Sequence, residues 1–472
     1  MMRLFKIISI AGLSALLLFA LIRLQGNIAR FGHDGIQRDF SVYYTAGQSL
    51  IGDFPLYKNG IGENPAIWDG NASYVHSRFV YPPLVAVPFG FMASIMTYHT
   101  AKFFWMYFSL ACILASVVIT IRALKLNLRF WQYMIIGVYA SLFFPLLTFI
   151  ALGQIDALTL LLALTAISLS TGVNRHEIAS GFLWAFAILI KLHIGIVVLF
   201  FILRKQWKIL AGFILGGITI AILTSLFLGP DILSNYLTKE FPRIVRYSGE
   251  NGTPAMKLPG GVVEKYYSDN GMGHVDGLIK NGRWFKDVKI SFSPNASLPR
   301  FMVLRIQDIN NNWKISPSLI SIALLALFLP LAYLGLRKIR LKIPQFSPEQ
   351  EFLYWYAVLM AFLLLSPLTW TMNMIWLIPL AALAVGHSPW SREKMHPVPW
   401  LMLAVALLLA FLPDCMYLGW RDFASPSWGC KMLDSSKYTI PEILIIVSIW
   451  IQLGGLSLFD KTERPQTVVS DK

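Results

Sequence analysis

The sequence of residues 178–203 is IASGFLWAFAILIKLHIGIVVLFFIL, and its only titratable residues are Lys191 and His193. A helix that spans a membrane needs roughly 20 apolar residues, so this segment predicts membrane helices. A lysine inside such a run is energetically costly and by default marks a functional position. The structural alternative is that Lys191 extends its ammonium to the membrane interface.

Similar apolar runs occur along the whole chain, and about twelve spans fit them at this length criterion. They predict an all-α polytopic membrane protein. The other runs lie at 7–22, 82–97, 101–121, 130–150, 154–171, 209–228, 317–336, 352–367, 373–386, 398–413 and 440–458.

The composition supports a membrane protein and argues against a soluble enzyme or a disordered chain. Of the 472 residues, 56% are hydrophobic and 14% are charged, whereas a soluble domain carries about 25% charged residues. The net charge is +15. In a membrane protein such an excess first indicates cytoplasmic loops, so we predict no nucleic-acid partner.

Two topologies agree with these runs. In the first, 82–97 enters the outer leaflet and returns, and 178–203 is two short spans broken near Lys191. In the second, 82–97 crosses the membrane and 178–203 is one long span. The positive-inside rule favours the first, because it places four more basic residues in the cytoplasm, namely Arg122, Lys125, Arg129 and Arg175.

The favoured topology predicts the organisation of the chain. Both termini are cytoplasmic in the inner (cytoplasmic) membrane. Residues 1–228 form a membrane module with an outer loop at 24–80, residues 229–316 form a large extracytoplasmic loop, residues 317–459 hold the C-terminal helices, and 460–472 form a cytoplasmic tail. A further outer loop, 414–439, contains Cys415 and Cys430, which are either bonded or free.

Asp39 is the candidate general base. It begins the segment DFSVYYTAG, in which residues 40–51 have the pattern of a short interfacial helix with Tyr43 and Tyr44. A carboxylate at the mouth of a membrane cavity can accept a proton from a substrate hydroxyl. Asp is also a favoured helix N-cap, and the two roles are compatible.

Polar residues in three further motifs are candidates for substrate binding. FVYPPL at 79–84 contains Tyr81, which also suits an interfacial anchor. GQID at 153–156 contains Gln154 and Asp156, which either contact a polar ligand or cap a helix. LSPLTWTMN at 365–373 contains Trp370 and Asn373, and its Ser-Pro step frees carbonyls that a polar group must satisfy.

Other chemistries lack support in the sequence. It contains no P-loop, no dinucleotide-binding glycine pattern, no HExxH motif and no paired-cysteine zinc spacing. We therefore predict no metal site and no cofactor.

The order of the motifs DFSVYYTAG, PLY at 55–57, FVYPPL, GQID, AILIKLH and SPLTW resembles glycosyltransferase family 87. The resemblance implies the GT-C membrane fold with large extracytoplasmic loops, and inverting sugar transfer from a polyprenyl-phosphate donor. It places Asp39 as the general base and Lys191 at the donor phosphate. The family usually has a histidine pair after SP-x-x-W, where this chain has Met372 and Asn373, and His193 is a candidate substitute.

The predicted function is therefore that of a multi-pass, mannosyltransferase-like enzyme of the cell envelope. It would move a hexose or pentose from the donor to a lipid or glycan acceptor on the outer face of the bilayer. The expected donor-phosphate residues are Lys191 and His193. The expected substrate-binding residues are Tyr43, Tyr44, Tyr81, Gln154, Trp370 and Asn373. The alternatives are a lipid-linked oligosaccharide flippase and an envelope polysaccharide polymerase.

Overall fold

The structure is a computed structural model of the full chain. It describes residues 2–33, 38–53, 56–57, 79–171, 175–242, 317–342, 346–366, 369, 371–389, 391, 395–412 and 437–455, together with short strands between 256 and 286 and residues 297–299, 302 and 306.

Helices dominate the described part of the chain. In the N-terminal half they are α1 (Met2–His33), α2 (Arg38–Ile51), α3 (Ala86–Ile95), α4 (Tyr98–Ala123), α5 (Phe130–Leu142), α6 (Phe144–Leu152), α7 (Asp156–Thr171), α8 (Glu177–Ile190), α9 (Val197–Leu203), α10 (Trp207–Leu228) and α11 (Pro230–Asn235). In the C-terminal half they are α12 (Pro317–Lys342), α13 (Pro348–Leu365), α14 (Ile378–Gly386), α15 (Pro397–Phe411) and α16 (Thr439–Trp450).

Shorter 3₁₀ and π turns extend several of these helices. The 3₁₀ turns are Pro83–Val85, Leu192–Ile196 and Thr371–Leu377, and the π turns are Tyr236–Glu240 and Ile451–Gly455. Each one lies next to a helix end, where the backbone departs from regular α geometry.

The predicted loop 229–316 contains the strands. They form three separate antiparallel ribbons, each of two strands: β1 (Met256–Lys257) with β2 (Val263–Glu264), β3 (Tyr267–Asp269) with β4 (Met272–His274), and β5 (Gly277–Lys280) with β6 (Arg283–Lys286). The apolar runs are helical, as the sequence predicts.

Within the described residues, three helices are long and apolar enough to cross a membrane: Ile8–His33 within α1, α4 and α10. Helices α5 and α6 would together form a fourth span, with a bend of 52° between them. Eight further apolar helical stretches in the described residues are 10–17 residues long, among them Ser318–Pro330 within α12, so the described residues do not confirm twelve spans. Bends and 3₁₀ turns divide several of the predicted runs.

The chain reverses direction at Lys191. Gly181 lies against Ile209 at the start of α10, and Ala185, one turn further along α8, lies against Gly216, two turns further along α10. Contacts thus advance in the same direction on both helices, so α8 and α10 pack in parallel. Glu177 and Lys208 also approach to 3.8 Å. The segment between them must therefore run out and back. This out-and-back path agrees with the first topology, in which 178–203 forms two short spans, and the crossing of the membrane itself stays a prediction.

The segment 82–97 also turns back. Helix α3 packs on α2, where Gly47 touches the backbone of Phe89. Both flanks of the segment meet the first half of α2. Before it, Tyr81 Oη lies 2.9 Å from Tyr43 Oη. After it, Tyr98 Oη lies 2.6 Å from Ser41 Oγ.

Two clusters of buried side chains form the interior of the described part of the chain. The large core joins α4, α7, α13 and α14. The aromatic core comprises mainly residues between 40 and 105, with Ile155, Ile190 and Tyr236 added from later elements. Ile155 belongs to the aromatic core and Ala157 to the large core. The turn 153–156 therefore lies at the boundary between the two.

Ion pairs collect at the end of the helices away from this turn. Lys125 Nζ lies 2.5 Å from Glu349 Oε1. Arg204 contacts both carboxylate oxygens of Glu351, at 2.5 and 2.9 Å, and both side chains are at least 90% buried. These contacts join the end of α4 and the end of α9 to the start of α13.

Candidate active site

Asp39 lies in the first turn of α2, where the partial positive charge of a helix start favours a carboxylate. The helix begins at Arg38, two residues before the predicted start of 40. The next side chain, Phe40, is fully buried and contacts the rings of Phe89 and Trp105. Packing of Phe40 in the aromatic core thus fixes the helix and leaves Asp39 half-buried at its edge.

A chain of hydrogen bonds begins at Asp39. Gln154 Nε2 donates to Asp39 Oδ2 at 2.5 Å. The other end of the same amide, Gln154 Oε1, accepts from Tyr43 Oη at 3.4 Å, and Tyr43 Oη lies 2.9 Å from Tyr81 Oη. The two contacts of Gln154 define its amide orientation, so the nitrogen faces the carboxylate.

The turn that carries Gln154 is itself fixed. Gly153 ends α6 with φ of +71°, a left-handed conformation that glycine adopts without the cost of a side chain. Its carbonyl accepts a hydrogen bond of 3.0 Å from the indole of Trp105 on α4. The turn is thus tied to a neighbouring helix before α7 begins at Asp156.

Lys191 forms an ion pair with Asp156, with 3.1 Å between Nζ and Oδ2. Asp156 is only 1% exposed, whereas Lys191 is 15% exposed. Asn373 Nδ2 donates to the other carboxylate oxygen, Oδ1, at 2.6 Å. Three distant parts of the chain therefore meet at this carboxylate.

The two groups of contacts form one cluster. The ammonium of Lys191 interacts electrostatically with Asp156, Tyr81 and Asp39. Among the described residues, the charges gathered here are two carboxylates and one ammonium. The turn 153–156 connects them, since Gln154 contacts one carboxylate and Asp156 is the other.

The two phenols of the cluster remain protonated at neutral pH. Burial raises the pKa of Tyr43 well above its usual value. Burial also raises the pKa of Tyr81, although nearby Lys191 opposes that rise. Neither tyrosine can serve as a base at neutral pH. Both can donate hydrogen bonds.

The structure brings together seven of the residues singled out from the sequence: Asp39, Tyr43, Tyr81, Gln154, Asp156, Lys191 and Asn373. It does not place Tyr44 with them. Tyr44 Oη donates to the carbonyl of Met96 at 2.8 Å, and its ring packs against Tyr98. Successive helix residues point in directions about 100° apart, which follows from 3.6 residues per turn.

Several expected contributors lie outside the described residues. They are Trp370 and the side chain of His193, and the same holds for Cys415 and Cys430, whose pairing the sequence left open.

The structure adds two residues that sequence reasoning did not select. Tyr57 Oη donates to the carbonyl of Tyr81 at 3.0 Å, and its ring stacks on Tyr236 with 5.8 Å between ring centres. The PLY motif contains Tyr57 and was its signal. Tyr236 carried no signal, because it lies in a polar stretch after α10 without a motif.

Residues 79–266 match the family model of glycosyltransferase family 87. The match confirms the resemblance and supports assignment as a transferase. It includes FVYPPL, GQID and Lys191, and it covers less than half of the chain. Asp39 and Asn373 lie outside the matched residues.

No curated protein and no solved structure matches this chain. The family match and the apolar helices together indicate a membrane glycosyltransferase.

Proposed function

We propose that the chain transfers a mannose-like hexose or a pentose from a polyprenyl-phosphate donor to a lipid or glycan acceptor, with inversion at the anomeric carbon. The observation that supports this most strongly is the placement of Asp39 and Lys191 on either side of the turn 153–156. A half-buried carboxylate and a partly exposed ammonium are the base and the cation that such a transfer needs.

In the proposed reaction, the acceptor hydroxyl attacks the anomeric carbon, and Asp39 takes the hydroxyl proton. The new bond joins the acceptor oxygen to that carbon, while the bond from the carbon to the phosphate oxygen breaks. The electron pair leaves with the polyprenyl phosphate. Lys191 stabilises the negative charge that develops on the phosphate, and such fixed charges are usually the largest contribution to catalysis.

The remaining residues would orient the reactants. Gln154 hydrogen-bonds Asp39, and Tyr43 hydrogen-bonds Tyr81. Their roles would be to orient the base and the sugar-binding phenol. Tyr81 interacts electrostatically with both the base and the cation, which suits a phenol that hydrogen-bonds the transferred sugar. Asn373 contacts Asp156, which favours a supporting role over direct substrate contact.

We further propose that the cluster faces the outer side of the inner membrane. The basic residues Lys125, Arg204 and Lys208 gather at the far end of the helices, and the positive-inside rule would place that end in the cytoplasm. Both termini would then be cytoplasmic, with residues 229–316 as a large outer loop. A cysteine at position 125 that reacts with an impermeant reagent from outside intact cells would overturn this orientation.

Transfer by purified protein in lipid nanodiscs tests the proposed activity. The donors would be a polyprenyl-phosphate mannose and a polyprenyl-phosphate pentose, with a panel of lipid and glycan acceptors. Asp39→Asn should lower the rate of transfer by roughly 10³-fold or more, the effect of losing a general base. The matched control is Asp53→Asn, an exposed aspartate just after α2.

Each outcome is decisive. Near-normal transfer by Asp39→Asn would remove this residue from the mechanism. Movement of an intact lipid-linked sugar across the bilayer, without transfer, would instead support a flippase. Chain extension of a lipid-linked glycan would support a polymerase.

A further inference from the structure

Asp156 holds a place in the cluster that the proposed reaction does not use directly. It is the first residue of α7 and is 1% exposed. Its two oxygens have different partners, Asn373 on Oδ1 and Lys191 on Oδ2. A buried carboxylate is costly unless it is paired and hydrogen-bonded. Both conditions are met here by residues that are distant in sequence.

The same contact matters for Lys191. An ammonium in an apolar environment tends to lose its proton unless a negative charge lies close to it. The groups that face Lys191 are Asp156, Tyr81 and Asp39. Tyr81 is a neutral phenol at neutral pH, so the two carboxylates are the negative partners among the described residues.

These two carboxylates cannot have the same role. In the proposed transfer Asp39 gains a proton, so its negative charge disappears at the moment when the phosphate leaves. Asp156 is too deeply buried to exchange protons with the substrate. It therefore takes no part in the proton transfer, and its Oδ2 is in direct contact with the ammonium, at 3.1 Å.

We infer that Asp156 is a positioning residue that keeps Lys191 charged and fixed in place throughout the transfer, with Asn373 holding the carboxylate. The inference rests on the proposed function. It separates the acidic residues of the cluster into a reactive carboxylate at Asp39 and a constant counter-ion at Asp156.

The first test is the pH dependence of donor use by Asp156→Asn. The wild type should keep nearly the same kcat/KM for the donor between about pH 7 and pH 9, because Lys191 stays protonated. The variant should fall by about tenfold or more over that range, as its unpaired ammonium loses a proton. A variant profile parallel to that of the wild type would overturn the inference.

The second test is Asp156→Glu, which retains the charge and moves it by one methylene. This variant should keep the pH profile of the wild type, since the ammonium remains paired. The displaced ammonium should raise KM for the donor by roughly tenfold while kcat changes less, as expected for a change in binding position. An unchanged KM would contradict the positioning role, even if Asp156→Asn does not fold.

A ligand-free measurement separates this inference from the proposed function. The melting temperature of Asp156→Asn should lie below that of the wild type at pH 7 and approach it at pH 9, because loss of its proton relieves a buried ammonium that has lost its contacting carboxylate. A constant difference would show that Asp156 does not hold Lys191 charged. If the wild type transfers no sugar from any donor, the proposed function fails, and this melting comparison still decides the inference.

Discussion

Gln154 on the turn after α6 donates a hydrogen bond of 2.5 Å to the carboxylate of Asp39 on α2. The two residues are 115 positions apart in the chain. The contact links the edge of the aromatic core to the start of α7. It also identifies the donor that stabilises the charged form of the proposed base.

Gln154→Leu should therefore alter the pH profile of transfer. A hydrogen bond to a charged group contributes about 1.5–3 kcal/mol, and its loss favours the protonated carboxyl. The acidic limb of the kcat/KM profile should move upward by roughly one pH unit, since one unit corresponds to about 1.4 kcal/mol. The matched control is Gln25→Leu, which removes an exposed hydrogen bond to Tyr107. An unshifted acidic limb in Gln154→Leu would show that the amide does not act on the base.

Adjacent tyrosines provide a matched pair of variants. Tyr43→Phe removes a hydroxyl that contacts Gln154 and Tyr81, so transfer should fall by about tenfold, the effect of roughly 1.4 kcal/mol on the barrier. Tyr44→Phe removes a hydroxyl bonded to the Met96 carbonyl, so it should cost about 1 kcal/mol of stability and leave transfer nearly unchanged. Transfer assays and thermal unfolding of both variants measure the contrast. Equal activity of the two would argue against a role for Tyr43.

The buried pair Arg204–Glu351 should be a strong determinant of stability. Arg204 lies over the rings of Tyr354 and Trp355 and makes two contacts to the carboxylate. Removing one partner of a buried pair leaves an uncompensated charge, so Arg204→Met should cost about 3–5 kcal/mol.

The double variant Arg204→Met with Glu351→Leu should recover most of that loss, because both charges are then absent. Thermal unfolding in nanodiscs measures both variants. If the single variant is as stable as the wild type, the pair is not the link between α9 and α13 that the contacts indicate.

Close packing of α8 on α10 predicts the effect of adding a methyl group. A side chain at Gly212 would collide with the backbone of Ile178, and the colliding atoms cannot move without separating the helices. Gly212→Ala should therefore destabilise the protein by about 1–3 kcal/mol, the usual cost of overpacking. Gly217 has open space around it, so Gly217→Ala should be neutral or stabilising by up to about 1 kcal/mol. A neutral Gly212→Ala would indicate that the two helices are further apart.

The sequence was most informative where a physical cost stood out locally. A charged residue in an apolar run predicted the break at Lys191, and the chain reverses there. The carboxylate before an aromatic helix predicted Asp39 at the start of α2. Both signals are visible within a few residues, because burial of charge and helix-end preference are local effects.

Tertiary partners were not visible in the same way. Asn373 lies 217 positions from Asp156, and its amide was expected to face a substrate instead of this carboxylate. Likewise, Tyr43 and Tyr44 looked equivalent, because the direction of each side chain depends on where α3 packs. The run 130–150 looked continuous, yet it is bent between α5 and α6. The bend occurs at Phe143, directly before a Phe-Pro step that no hydropathy average detects.

The described residues of the aromatic core lie almost entirely between Phe40 and Trp105, with three later residues inserted. The large core draws instead on helices from both halves of the chain. The segment 38–105 can consequently be exchanged between related chains as one unit. A chimaera that replaces it, while keeping Asp39, Tyr81, Ile155, Ile190 and Tyr236, would alter the surroundings of Asp39 and leave the contacts of Asp156 with Lys191 and Asn373 in place.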